Sequence, residues 1–323
     1  MRLLRCLVVV FSLVRTCPAQ LPGYYKTVNR VTWVVGNIDK VRPAWAALGL
    51  SDIKEYPNIQ LVGQFRRQPV TIYAWQITGQ LGDLTIDMIQ PAEGQANAYT
   101  SFLAKHGDGI FSIVHEVPDQ PALDKEILRM KEKGVGILQQ ASARRGQVST
   151  YFDTEPEGKF ALGLVLMPPG KRTMTPGPVS HFGFVVRDAA AVSAYWARLG
   201  FPGFPMQQAL PRADSRYKGD LLSLAFEVGF QRHSQFRYEW ICPPPSPPNV
   251  YADFLNTHHR EGVQHIGIEV ADLPKRVEAF KKLGYQVLQS GTWGEAGKPG
   301  SGEYAFIDTD SVGGTSVELV QRH

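Results

Sequence analysis

His181-Phe182-Gly183-Phe184-Val185-Val186-Arg187-Asp188 returns further along the chain as His265-Ile266-Gly267-Ile268-Glu269-Val270-Ala271-Asp272. Each copy leads into a helix-like run ending Leu-Gly-aromatic, Leu199-Gly200-Phe201 and Leu283-Gly284-Tyr285. Each later closes on an acidic residue within an apolar strand, Tyr238-Glu239-Trp240-Ile241 and Val317-Glu318-Leu319-Val320. Self-similarity on this scale marks a supersecondary unit used more than once. The repeat also returns a His and a Glu twice, and two imidazoles with two carboxylates suit a divalent transition metal.

Strand alternation says where those side chains point, because successive residues face opposite sides of a sheet. Phe182, Phe184 and Val186 share one apolar face, as do Ile266, Ile268 and Val270. Those faces are expected under the following helix, which turns His181 and His265 to the other side. In the closing strands Val317 and Leu319 face the helices, leaving Glu318 opposite, and Tyr238 and Trp240 do the same for Glu239. His181, Glu239, His265 and Glu318 therefore line one concave face as a candidate metal site.

Working outward, the same pattern covers the N-terminal half. A unit opens at residues 28–37 and continues into a helix carrying Ile38, Val41, Trp45 and Leu48, then closes at residues 84–91. A second opens at residues 111–119, with Leu123, Ile127 and Met130 on its helix, and closes near residues 164–168. A connector repeats too: Tyr99-Thr100-Ser101-Phe102-Leu103 before the second unit matches Tyr251-Ala252-Asp253-Phe254-Leu255 before the fourth. The N-terminal half has lost the ligand types. Arg30 and Ser112 are expected at the His positions and Asp87 and Leu164 at the acid positions, so a metal is not expected there. His115 falls on the helix-packing face. Proline- and glycine-rich residues 168–178 read as the boundary between halves, and residues 242–249 as a spacer within the second.

The 323 residues are 43% hydrophobic and 20% charged, enough for two cored domains, with a net charge of only +4. No basic run interleaves with aromatics, so nucleic acid is not an expected partner. Arg2 and Arg5, the apolar residues 6–14 and Cys17-Pro18-Ala19 read as a signal peptide, which makes the protein exported, periplasmic or secreted. No other segment is long and apolar enough for a membrane span. Removal of that peptide leaves Cys242 alone, which excludes an intrachain disulfide and cysteine-based zinc or redox sites. The expected organisation is a signal peptide at residues 1–19, a degenerate domain at 20–170, a linker at 171–178 and a metal-binding domain at 179–323.

The quartet, together with residues 304–310 ahead of Gly313-Gly314 and Glu318, resembles the vicinal oxygen chelate superfamily (glyoxalase, bleomycin resistance protein, extradiol dioxygenase) over essentially the whole mature chain. The resemblance implies an α+β fold of four βαβββ modules paired into two domains. Each would be an open, curved, mixed-sheet cup with helices outside, and the chain a monomer with an internal pseudo-dimer. It implies one divalent metal, Ni, Co, Zn, Mn or Fe, held by His181, Glu239, His265 and Glu318. The ligand set resembles bacterial-type glyoxalase, and the connector with residues 261–265 resembles methylmalonyl-CoA epimerase.

That points to a lyase, isomerase or epimerase acting on a small oxygenated substrate. The metal would polarise a chelated carbonyl, with Glu239 and Glu318 as catalytic carboxylates: Glu318 first a ligand, Glu239 the proton-transfer residue. Two alternatives remain open. His181, His265 and Glu318 alone form the facial triad of an Fe(II) ring-cleaving dioxygenase, with Tyr304 and His233 as nearby acid–base groups. The cup could also sequester a small ligand without chemistry. Export argues against glutathione adducts and CoA esters as substrates, and the glycine-rich residues 291–300 could close over the cup.

Overall fold

Four times the chain runs from a first strand into a capped helix, and the cap explains each switch. Asn37, Asp119, Asp188 and Asp272 each accept a hydrogen bond from a backbone N–H in the first helical turn. Such a cap satisfies a donor the helix leaves unpaired and stabilises it by about 1 kcal/mol.

The computed structural model describes residues 21–143, 146–167, 177–232 and 236–323. The expected signal peptide, most of the expected linker and His233 lie outside the described residues. In the N-terminal half the order is β1 (Arg30–Val34), α1 (Ile38–Leu48), β2 (Ser51–Phe65), β3 (Gln68–Leu81), β4 (Leu84–Pro91), α2 (Ala98–His106), β5 (Gly109–Val117), α3 (Gln120–Glu132), β6 (Ile137–Ala143), β7 (Val148–Phe152), α4 (Glu155–Gly158) and β8 (Ala161–Leu166). The C-terminal half has β9 (Val179–Val185), α5 (Ala189–Arg198), β10 (Met206–Ala209), β11 (Arg216–Tyr217), β12 (Asp220–Leu221), β13 (Phe226–Arg232), β14 (Arg237–Cys242), α6 (Val250–Thr257), β15 (Gly262–Glu269), α7 (Leu273–Lys282), β16 (Val287–Trp293), β17 (Gly302–Ile307), α8 (Asp310–Gly313) and β18 (Ser316–Arg322). This is the expected α+β arrangement of paired modules. In each module the first and last strands are parallel neighbours, and the two first strands of each half pair antiparallel.

The halves differ at the opposite seam. In the N-terminal half β2 is long enough to reach β6, pairing Leu61 to Phe65 with Ala143 to Gln139, and the sheet closes into an eight-stranded barrel rather than an open cup. In the C-terminal half the counterpart strand, β10, has only four residues, and the small β11–β12 hairpin joins β16 instead. That sheet stays open, with ten strands in the order β10-β13-β14-β9-β15-β18-β17-β16-β11-β12.

Tyr99 of α2 and Tyr251 of α6 enter the concave-side clusters, whereas α1, α3, α5 and α7 lie on the convex sides, which face each other. One hydrophobic core therefore runs from Trp33, Ile86 and Leu162 of the first sheet through Trp45, Leu123 and Trp196 of the helices to Phe184, Trp240 and Leu319 of the second. Burying each such side chain stabilises the fold by about 1.5–3 kcal/mol. Cross-links hold the layer in register: the Trp196 indole donates to the Gly158 carbonyl, Arg129 to the Leu199 carbonyl and Arg276 to the Leu48 carbonyl. No helix among the described residues is long and apolar enough to cross a membrane.

The alternation read from the sequence holds at the residues that matter. Phe182, Phe184, Tyr238, Trp240, Ile266, Ile268, Val317 and Leu319 all enter the helix-facing core. His115 also faces that side, with Nδ1 against the Thr27 carbonyl at 2.7 Å and its ring edge-on to Tyr25. One register expectation is corrected. Gly267 pairs with Glu318, and its N-terminal counterpart Val114 pairs with Gly163, so Gly163 and not Leu164 occupies the fourth ligand position. Leu164 points into the helix-facing core. A register shift of one residue moves a side chain to the other face of a strand.

Candidate metal centre

The His-x-Gly motif is explained by the seam between β9 and β15. Gly183 lies opposite His265, and Gly267 opposite His181. A Cβ on Gly183 would fall 1.7 Å from the His265 ring, and one on Gly267 would fall 2.0 Å from the His181 ring. Each glycine leaves the space in which the other strand's imidazole lies, so the four positions work as a reciprocal unit.

Glu239 arrives from β14 and Glu318 from β18, the strands flanking that seam. One ligand atom from each of the four residues lies within 4.8 Å of the others. His181 Nε2 is 3.1 Å from His265 Nε2, 2.7 Å from Glu318 Oε2 and 3.4 Å from Glu239 Oε2. His265 Nε2 is 3.6 Å from Glu318 Oε2 and 3.7 Å from Glu239 Oε2. His265 is fully buried, whereas the Glu239 side chain keeps 19% of its surface exposed and is the most open of the four.

The surrounding hydrogen bonds suit a cation. His265 Nδ1 lies 2.7 Å from Gln264 Oε1, an acceptor, so Nδ1 carries the proton and Nε2 presents its lone pair to the centre. Gln264 is held by its own bond to Ser316 Oγ. Ser180 Oγ donates to the Gly267 carbonyl and lies 2.9 Å from His181 Nδ1, which places the His181 lone pair at the centre as well. Two nitrogen lone pairs 3.1 Å apart beside two carboxylates need positive charge between them. Among the described residues Glu318 Oε2 is buried without a hydrogen-bond partner, as expected of a ligand oxygen. The residues fit one divalent metal, and all four candidates named from the sequence come together.

His181, Glu239 and Glu318 border a cavity of about 500 Å³, with His265 buried behind them. Its walls are mostly apolar, with Leu224, Phe226, Val228 and Phe230 on one side and Trp293 on the other. Tyr304 lines it too; burial and the nearby Glu318 push its hydroxyl up to about 12, against hydrogen bonds to Ser215 and Gln289. Trp293 and Gly294, from the glycine-rich stretch, border the cavity. Cys242 is half-buried against the Arg187 carbonyl.

Sequence reasoning missed the cavity's guanidiniums, Arg212, Arg237 and Arg322. Two of them were within reach of the same alternation rule: Arg237 stands two residues before Glu239, and Arg322 four after Glu318, on the ligand-bearing faces.

In the N-terminal barrel a different structure fills the corresponding place. Arg30 and Asp87 form a buried ion pair, and Asp87 also accepts from Gln76 Nε2 at 2.9 Å and Thr78 Oγ1 at 2.7 Å. Burial disfavours the Arg30 charge, but Asp87 more than offsets it and the guanidinium is held above its ordinary range. Asp87 is thus engaged by the protein itself, which removes it as a candidate ligand.

The family model of the Glyoxalase/Bleomycin resistance protein/Dioxygenase superfamily matches twice, over residues 29–152 and 180–306, one match in each half. Among solved structures, a variant of 4-hydroxymandelate synthase from Streptomyces coelicolor superposes with a TM-score of 0.62 at 15% identity, covering 92% of this chain and 93% of that one. A fusion of a xylose isomerase-like TIM barrel with 4-hydroxyphenylpyruvate dioxygenase superposes with a TM-score of 0.51 at 13% identity, covering 93% of this chain and 49% of that one. At these identities the likeness is one of fold. No curated protein matches by sequence. The two family matches, the four modules and the His–Glu–His–Glu cluster agree, and the chain belongs to the Glyoxalase/Bleomycin resistance protein/Dioxygenase superfamily.

Proposed function

We propose that the protein is a metal-dependent lyase, isomerase or epimerase of glyoxalase type, moving a proton on carbon next to a carbonyl of a small substrate bound in the C-terminal cup. The observation that carries this reading is Glu239. It is a second carboxylate in the centre, and so occupies a position that oxygen activation by a two-His, one-carboxylate site needs open. A divalent cation at the centre supplies Lewis-acid polarisation of the substrate carbonyl.

The chain's own residues divide the remaining work. His181, His265 and Glu318 are the more buried holders, fixed by Ser180, Gln264 and the reciprocal glycines. Glu239 borders the cavity and is the most open carboxylate, so it takes the carbon-bound proton and returns it. Its partial exposure lets the proton it holds exchange with solvent before it is returned.

A dioxygenase reading is favoured by one distance pattern. Glu239 lies farther from both His Nε2 atoms than Glu318 does, and its release leaves a facial triad beside Tyr304. The two readings separate in one experiment. Protein reconstituted with Co(II), Ni(II) or Fe(II) is incubated with a panel of 2-hydroxy and 2-oxo carbonyl compounds in deuterated water, and oxygen uptake is followed in parallel. The lyase or isomerase reading expects deuterium at the carbon next to the carbonyl without oxygen uptake. It expects Glu239→Gln to retain metal while exchange falls by about 10²–10⁴-fold. Oxygen uptake with Fe(II) and no exchange would replace it with the dioxygenase.

A further inference from the structure

The cup carries more positive charge than its metal centre uses. Among the described residues its lining has two carboxylates, Glu239 and Glu318, and three guanidiniums, Arg212, Arg237 and Arg322. A divalent cation at the centre balances the two carboxylates and leaves the three guanidiniums over. Two are engaged elsewhere: Arg322 pairs with Glu269 and lies over the Trp293 ring, and Arg212 donates to the Gly294 carbonyl.

Arg237 differs. Among the described residues its guanidinium makes no hydrogen bond and no ion pair, only a stack on the Phe230 ring at 5.3 Å. It is half-buried, and it lies on the same face of β14 as Glu239, two residues away. At the rise of an extended strand that is roughly 7 Å along the sheet. A guanidinium held on an aromatic face inside a largely apolar cavity, with its hydrogen-bond donors unspent, is arranged to receive a planar anion.

We infer that the cup binds an amphipathic carboxylate, its carboxylate paired with Arg237, its apolar body against Leu224, Phe226 and Val228, and its chelating oxygens at the His181–Glu239–His265–Glu318 centre. The last part rests on the metal reading above; the first two do not. One free guanidinium matches the single charge of a carboxylate, whereas a phosphate dianion calls for a second cation that the engaged Arg212 and Arg322 do not offer. The carboxylate is thus a specificity group remote from the reacting carbon. A cavity of about 500 Å³ accommodates a molecule with both ends.

The test uses 3,4-dihydroxyphenylpropionate, which carries vicinal oxygens at one end and a carboxylate at the other, beside its methyl ester. Both are titrated calorimetrically into the Co(II)-loaded full chain, wild type and Arg237→Met. Wild type is expected to bind the acid about tenfold or more tightly than the ester, and Arg237→Met to bind the two alike while holding the same Co(II) per chain. Equal binding of acid and ester by wild type overturns the inference, as does a preference that survives in Arg237→Met. Arg237→Lys, which keeps the charge and loses the fork, should show an intermediate preference and stands in if the Met variant does not fold. Failure of wild type to hold Co(II) would sink the metal reading separately. The same pair is then titrated into the metal-free chain, where the preference for the acid must still depend on Arg237.

Discussion

The two halves are built from the same module pair and answer the same problem differently. Each brings four positions to one spot on its concave face, around the antiparallel seam of its first strands. In the C-terminal half those positions hold His181, Glu239, His265 and Glu318, all candidate donors to a cation the protein does not itself supply. In the N-terminal half they hold Arg30, Asp87, Ser112 and the bare Gly163, and the cation is the Arg30 guanidinium. The half with the internal ion pair closes at the β2–β6 seam, and the half with the candidate metal site stays open at β10. A charge position can thus be kept through a repeat while the source of the charge changes.

The largest effect that would sharpen this contrast is on metal content. His265→Ala is expected to reduce bound metal from about one per chain to near zero, with the core spectroscopically unchanged; Ser112→Ala, at the matching N-terminal position, should leave metal content as it was. Metal analysis after reconstitution checks both, and loss from Ser112→Ala would break the division of labour between halves.

Next in size is the stability of the barrel. Asp87→Ala strands the buried Arg30 charge, and chemical denaturation should show a loss of about 3–5 kcal/mol with metal content unaltered. A small loss would mean that the pair is a by-product of closure rather than its support.

The smallest expected effect lies at the joints, where His106 meets Glu155 at 3.0 Å and His258 meets Asp310 at 2.9 Å in corresponding positions. Burial opposes the Glu155 charge, but His106 and Lys105 outweigh it and hold the carboxyl below its ordinary range. A carboxyl depressed in the folded state contributes stability that is full above its unfolded pKa and lost as pH falls through the folded one. Stability is therefore expected to fall below about pH 4, and Glu155→Gln to remove about 1 kcal/mol of that fall. Thermal unfolding from pH 3 to 7 reads it; an unchanged acid limb in the variant would assign the fall to other groups.

Much of this was legible in the chain before any coordinates. Period-two alternation around His181 and His265 fixed which face carried the ligands, because the pleat leaves a strand residue no third option. The paired His-x-Gly and apolar-Glu-apolar strands named the whole quartet, and the same pattern gave the four modules and the α+β class. The limit of that reading shows at Leu164, where nothing polar marked the register and a slip of one residue put the wrong side chain on the concave face. Arg237 shows a second limit: alternation placed it beside Glu239, but whether a guanidinium is matched depends on what other strands bring to it. Closure of one sheet and opening of the other were likewise outside the sequence's reach. They depend on whether β2 and β10 are long enough to meet a strand from the neighbouring module, a contact between residues distant in the chain. The sequence by itself determined the repeat and the shared facing of the four candidate ligands, both properties of local periodicity. The tertiary structure alone decided that Arg30 answers Asp87, that Gly183 and Gly267 make room for the opposite imidazoles, and that one guanidinium in the cup has no hydrogen-bond or ion-pair partner among the described residues. Those outcomes follow from distances across seams, which no local pattern encodes.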